Sequence, residues 1–145
     1  MYLVDTNVLS AAAPARVALP ALVDWMDTHS ASLFLSVVTV AEITDGIAKL
    51  RREGAVRRAA DLADWLDTVV HLYGDRVLGF DTEVARTAGA LADLARGQGQ
   101  APGFADIVIA ATAQRHGLTI LSRNLRHFEP LGVAVIDPFV ALPPD

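Results

Sequence analysis

Tyr2-Leu3-Val4-Asp5-Thr6-Asn7 brings the chain from a short apolar run straight to an acid, a hydroxyl and an amide. Tyr2, Leu3 and Val4 show no polar alternation, so a strand made of them needs cover on both faces, as in a parallel sheet lying between layers of helices. Similar runs rich in β-branched and bulky residues recur at 33–35, 77–78, 119–121 and 133–136. Helical patterns fill the intervals at 20–29, 39–51, 56–72, 82–96 and 105–116, with one further turn after Asn7. Pro20 suits a first helical position, Asp81 an N-cap, and Gly97 and Gly117 helix stops. This alternation predicts an α/β chain, a three-layer sandwich with a central, mostly parallel sheet flanked by helices. Residues 1–140 form one expected domain and 141–145 a C-terminal tail.

Composition narrows the field. The 145 residues are 52% hydrophobic and 20% charged, which excludes a disordered chain and fits one domain. Without cysteine there is no disulfide framework, thiolate nucleophile or Cys-based metal site. No basic leader is visible and no uncharged run nears the roughly 20 residues that span a bilayer, so a cytoplasmic protein with no membrane partner is expected. The formal charge of −5 argues on its face against a binder relying on bulk attraction to phosphate. That charge is uneven. Residues 49–58 hold Lys49, Arg51, Arg52, Arg57 and Arg58 against the single acid Glu53, which reads equally as a solvated helix end or a local anion-binding patch. Gly97-Gln98-Gly99-Gln100-Ala101-Pro102-Gly103 reads as a flexible hinge, since it follows a helix and lacks the Lys-Ser/Thr pair of a phosphate loop.

Three acids carry the chemical argument. In a parallel sheet, sites gather outside the carboxyl ends of the strands. Asp5 sits at such an end, followed by Thr6 and Asn7, which can orient it; taken alone it reads better as the cap of the short helix that follows. Glu42 is expected in the first turn of its helix, on the flank of the stripe Val40, Ile43, Ile47 and Leu50, where it could also be a dipole partner. Asp106 interrupts Phe104-Ala105-Asp106-Ile107-Val108-Ile109-Ala110-Ala111-Thr112-Ala113, apolar on every face. A carboxylate there needs a metal, an arginine or a helix N-terminus as partner. Ile120-Leu121-Ser122-Arg123-Asn124 brings further polar groups to a strand end. If the strands are parallel, Asp5, Glu42, Asp106, Ser122 and Asn124 converge, and crowded carboxylates with hard oxygens match Mg²⁺ or Mn²⁺. His29, His71, His116 and His127 show no His-Glu-x-x-His spacing, and no G-x-S-x-G elbow occurs. A phosphatase of the haloacid-dehalogenase type would want Asp where Asn7 stands.

The blocks Asp5-Thr6-Asn7, Ser36-Val37-Val38-Thr39-Val40-Ala41-Glu42, the Asp106 helix, and Ser122-Arg123-Asn124 followed by Phe128 and Leu131-Gly132-Val133 together resemble PIN-domain ribonucleases, in particular the VapC and FitB toxins of toxin–antitoxin pairs. The resemblance runs from Met1 to about Val140. It implies an endoribonuclease dependent on Mg²⁺ or Mn²⁺, with Asp5, Glu42 and Asp106 as an acidic triad and Asn124 as a weaker contributor. Asp5 and Asp106 would be the main metal ligands, and Glu42 would hold a ligand water or act as general base. Thr6, Asn7, Asp81 and Ser122 would support the site, Asp81 as a cap. His127 stands where many relatives carry a further acid, so this loop supplies no fourth carboxylate. The resemblance further implies a homodimer, a cognate antitoxin that inserts a basic side chain among the acids, a heterotetramer or larger assembly with it, and DNA contact only through that antitoxin. RNA would meet Arg51, Arg52, Arg123 and Arg126. Two other readings use the same residues: a non-catalytic interaction module on this fold, and a metal-dependent phosphohydrolase acting on small substrates.

Overall fold

In the computed structural model, residues 1–14 and 19–145 are described. The apolar runs become β1 (Tyr2–Val4), β2 (Leu33–Ser36), β3 (Val77–Leu78), β4 (Thr119–Leu121) and β5 (Val135–Ile136). They pair in the order β3-β2-β1-β4-β5, and every pairing is parallel. The sheet is therefore wholly parallel rather than mostly so. Its centre is β1, with Leu3 beside Phe34 on one side and Ile120 on the other.

The absence of alternation in the strands has its expected cause. Leu3 and Ile120 face one core with α5 (Thr82–Gly97) and α6 (Phe104–His116). Val4 and Leu121 face a second core, shared with α1 (Thr6–Leu9), α2 (Pro20–Thr28), α3 (Val37–Arg52) and α4 (Val56–Tyr73). Successive side chains of a strand point to opposite faces, and here each face meets helices. From Ile107 to Ala113 every residue of α6 is buried, as its uniformly apolar sequence requires.

Several boundaries move for local reasons. Helix α3 begins at Val37 rather than Thr39, because the Ser36 hydroxyl accepts from the Val38 N–H at 3.1 Å and caps it. Glu42 consequently lies in the second turn and not the first. Thr39 replaces Val40 on the buried stripe with Ile43 and Ile47. Helix α5 runs through Gly97, and the left-handed residue beyond it is Gly99 at φ 72°. Gly117 does end α6, in the left-handed conformation at φ 64° that favours glycine. The stretch after Asn124, read only as a turn, forms α7 (Leu125–Phe128), and β5 is shorter than the apolar run from Val133. Tail residue Pro144 accepts a hydrogen bond from the Tyr2 hydroxyl at 3.4 Å, so the tail lies back near β1. Among the described residues, no helix is long and apolar enough to cross a membrane.

Candidate metal centre

Backbone ladders place the central groups. The Asp5 N–H donates to the Leu121 carbonyl at 2.9 Å, extending the β1–β4 pairing by one residue. The Ser122 N–H donates to the Ile136 carbonyl at 3.0 Å and does the same between β4 and β5. Asp5 and Ser122 are thus set next to each other just beyond adjacent strand ends, and both are buried. The Ser122 hydroxyl donates to Asp5 Oδ2 at 2.7 Å, the Asn7 amide donates to the same oxygen at 3.1 Å, and the Thr6 N–H donates to Oδ1 at 2.8 Å.

A second tier holds the first. Asn7 also donates to Ser122 Oγ at 3.2 Å and accepts from the Arg123 N–H at 3.1 Å. The Asn124 N–H donates to Ser122 Oγ at 3.0 Å. Asn124 therefore supports the site through its backbone, and its side chain makes no hydrogen bond to the acids. Thr6 directs its hydroxyl to Glu42 Oε1 at 2.7 Å, which ties the exposed Glu42 to the turn after β1.

Asp106 sits in the first turn of α6, partly buried, with Oδ2 2.9 Å from His127 Nδ1. Burial pushes the Asp5 carboxyl above its ordinary value; the Ser122 and Thr6 hydrogen bonds pull it back, the nearby Asp106 charge raises it and His127 lowers it. Two carboxylates interacting in a partly dry site are stabilised by a cation between them.

Whether the residues fit a divalent ion follows from their donor chemistry. An ionised carboxylate offers about four acceptor positions. Asp5 uses three in the hydrogen bonds above and Asp106 uses one, so both retain acceptor capacity for a hard cation. Among the described residues, no three Asp, Glu or His groups are close enough to form a complete ligand set by themselves. The arrangement fits an ion such as Mg²⁺, held by one or two carboxylates while keeping several waters.

The remaining expected residues divide between the site and the rest of the molecule. Arg51 and Arg52 lie nine and ten residues beyond Glu42, about 14 Å further along the α3 axis, so the helix carries them away from the acids. Arg123 lies over the Phe139 ring at 4.5 Å, and Arg126 lines a cavity with Asp106 and His127. Asp81 caps α5, accepting from the Val84 N–H at 2.9 Å. The contact that sequence reasoning missed is His127 with Asp106. The residue stood out as a departure from an acid, but the one-turn helix α7 that brings it to α6 was not read from the sequence.

Comparison with known proteins adds to this geometry. The PIN domain family profile matches residues 2–131. The VapC ribonuclease Y4jK of Sinorhizobium fredii is 35% identical over 144 residues, covering 96% of this chain and 98% of that protein. Toxin FitB of Neisseria gonorrhoeae is 32% identical over 144 residues, covering 96% and 99%. The crystal structure of FitAcB from Neisseria gonorrhoeae matches with a TM-score of 0.83 at 33% identity, over 96% of this chain and 99% of that one.

Proposed function

This chain belongs to the PIN-domain family, and from that premise we propose that it is a Mg²⁺- or Mn²⁺-dependent endoribonuclease, the toxin of a toxin–antitoxin pair. The observation that carries the reading is Asp5, buried and held by three donors just past the carboxyl end of β1, with the Asp106 charge on α6 near enough to act on it. Relatives at 32% and 35% identity that bear the names toxin and ribonuclease support it.

Asp5 and Asp106 would hold a divalent ion, which when bound would supply charge neutralisation for the phosphodiester and make a water more acidic. The chain's own groups do the positioning. Ser122, Asn7 and the Thr6 N–H fix both oxygens of Asp5, so its ligand geometry is set before RNA arrives. Glu42, anchored by Thr6 and open to solvent, accepts a proton from the water or holds it in line. His127 steadies the Asp106 carboxylate through Oδ2.

An exposed acidic edge also attracts a basic side chain, which is how a cognate antitoxin neutralises the site. Further parts of this reading are a homodimer, assembly with the antitoxin into a heterotetramer or larger complex, DNA contact through the antitoxin alone, and a cytoplasmic location. The purified chain should cleave single-stranded RNA with Mg²⁺ or Mn²⁺, lose activity in chelator and regain it when the ion is restored. Asp5→Asn and Asp106→Asn should be inactive. Equal cleavage by wild type and both variants would mean a contaminating nuclease and overturn the assignment.

A further inference from the structure

Phe104 and Phe80 are 67% and 44% exposed, and their rings meet edge to face with centroids 5.9 Å apart. Neither belongs to a core cluster, whereas Phe128 is fully buried. Single exposed apolar residues are ordinary on a protein surface. This pair is distinguished by its position. Phe80 lies two residues past the end of β3, immediately before the cap residue Asp81. Phe104 is the first residue of α6, two before Asp106. Both therefore stand on the side of the sheet toward which the strands' carboxyl ends point, the side on which Asp5 lies.

The surroundings of Asp106 contain both kinds of surface that a single-stranded nucleic acid needs. A cavity of about 380 Å³ lies between Gln100–Gly103 and Asp106, Arg126 and His127; Arg126 and the Gln100 amide offer a cation and a donor suited to phosphate beside the Asp106 carboxylate. Phe104 offers an aromatic face. Residues two apart in a helix diverge by roughly 200°, so Phe104 leaves α6 in a different direction from Asp106 and meets a different part of a bound strand. It suits the next unit of the strand. An edge-to-face contact covers at most one face of one ring, which leaves flat aromatic surface open.

Building on the nuclease reading above, we propose that Phe104, braced by Phe80, is a stacking site for an unpaired nucleobase next to the scissile phosphate. Single-stranded RNA is commonly bound by stacking its bases on aromatic side chains while cationic groups follow the backbone. Stacking of this kind tolerates different bases, so Phe104 sets the demand for an unpaired base more than the identity of that base.

The test measures kcat and KM of the full chain on single-stranded RNA, with parallel binding to an oligonucleotide containing 2-aminopurine. Phe104→Ala should raise KM about tenfold with a smaller effect on kcat, and Phe104→Trp should restore it. Quenching of 2-aminopurine should accompany binding of wild type and the Trp variant and be lost with Ala. An RNA abasic at the quenched position should bind wild type and the Ala variant equally. Unchanged KM and quenching in Phe104→Ala would overturn the proposal, as would an equal loss on abasic RNA. A shift of the Ala variant from dimer to monomer by sedimentation, with activity restored at high protein concentration, would overturn it in favour of a self-association surface. Asp106→Asn separates the two readings. Cleavage that depends on Asp106 but not on Phe104 sinks only the stacking site, whereas cleavage that survives Asp106→Asn removes the nuclease reading and this proposal with it.

Discussion

The two ends of α3 carry charge in opposite ways. Near its start, Glu42 is tied to Thr6 at 2.7 Å beside the buried, triply bonded Asp5. At its far end, Arg51 and Arg52 are exposed, and Lys49 approaches Glu53 only at 3.9 Å with both side chains more than half exposed. The first region holds charge against its solvation preference by surrounding it with fixed donors. The second leaves charge in water, where ion pairs contribute little and salt screens them. The positive end looks more like a nucleic-acid surface by composition, yet it is the acidic end that has the rigid, partly desolvated geometry that chemistry requires.

The contrast can be broken from its strong side first. Asp5→Asn and Asp106→Asn should each lower RNA cleavage by on the order of a thousandfold while circular dichroism shows the fold retained, comparable to losing a principal electrostatic group of an active site. A loss of less than tenfold in both would show that the acidic end is structural. Ser122→Ala removes one donor to Asp5 and leaves Asn7 and Thr6 in place. It should weaken Mn²⁺ binding, measured by calorimetry, by about 10- to 100-fold, the usual cost of removing a group that orients a metal ligand.

Burial of Asp5 gives a pH signature. A carboxyl raised in the folded state takes up its proton there at higher pH than in the unfolded chain, so its protonated form favours folding. In chelator, the Tm of Asp5→Asn minus that of wild type should therefore increase as pH rises from about 4, the ordinary aspartate range, through the raised value. Below that range the difference should stop changing with pH. A difference that falls with rising pH would mean that Asp5 is stabilised, not penalised, as an anion. The apparent affinity for Mn²⁺ should correspondingly begin to weaken at a higher pH than an ordinary carboxylate would set, because the ion-free Asp5 must lose its proton to bind it.

Smaller effects test the quiet regions. Asp81→Ala removes the α5 cap and should cost about 1 kcal/mol of stability in urea unfolding with kcat unchanged. The pair Arg51→Glu and Arg52→Glu should alter stability by less than about 0.5 kcal/mol and cleavage by less than about threefold at 0.15 M salt. A large loss of cleavage there would restore the basic end as an RNA surface.

Local pattern carried most of the fold. Apolar runs without alternation called for a parallel sheet with two covered faces, and the uniformly apolar stretch after Asp106 called for a helix buried all round; both follow from burial, which residue type and period report directly. Caps at Asp81 and Gly117 were legible for the same reason, since their physics lies within a few residues. The start of α3 was not, because Ser36 acts as its cap only once the end of β2 is placed, and that shift moved Glu42 by a turn. The polar order around Asp5 depends on residues 117 positions apart, Asp5 and Ser122, meeting through sheet register. The His127–Asp106 contact and the Phe80–Phe104 pair likewise join segments distant in sequence. The sequence by itself determined which groups were available and which strands and helices would carry them. Tertiary structure decided which acids meet, which charges stay in water, and which aromatic rings remain at the surface, because distances between remote side chains are set by packing and register and not by local preference.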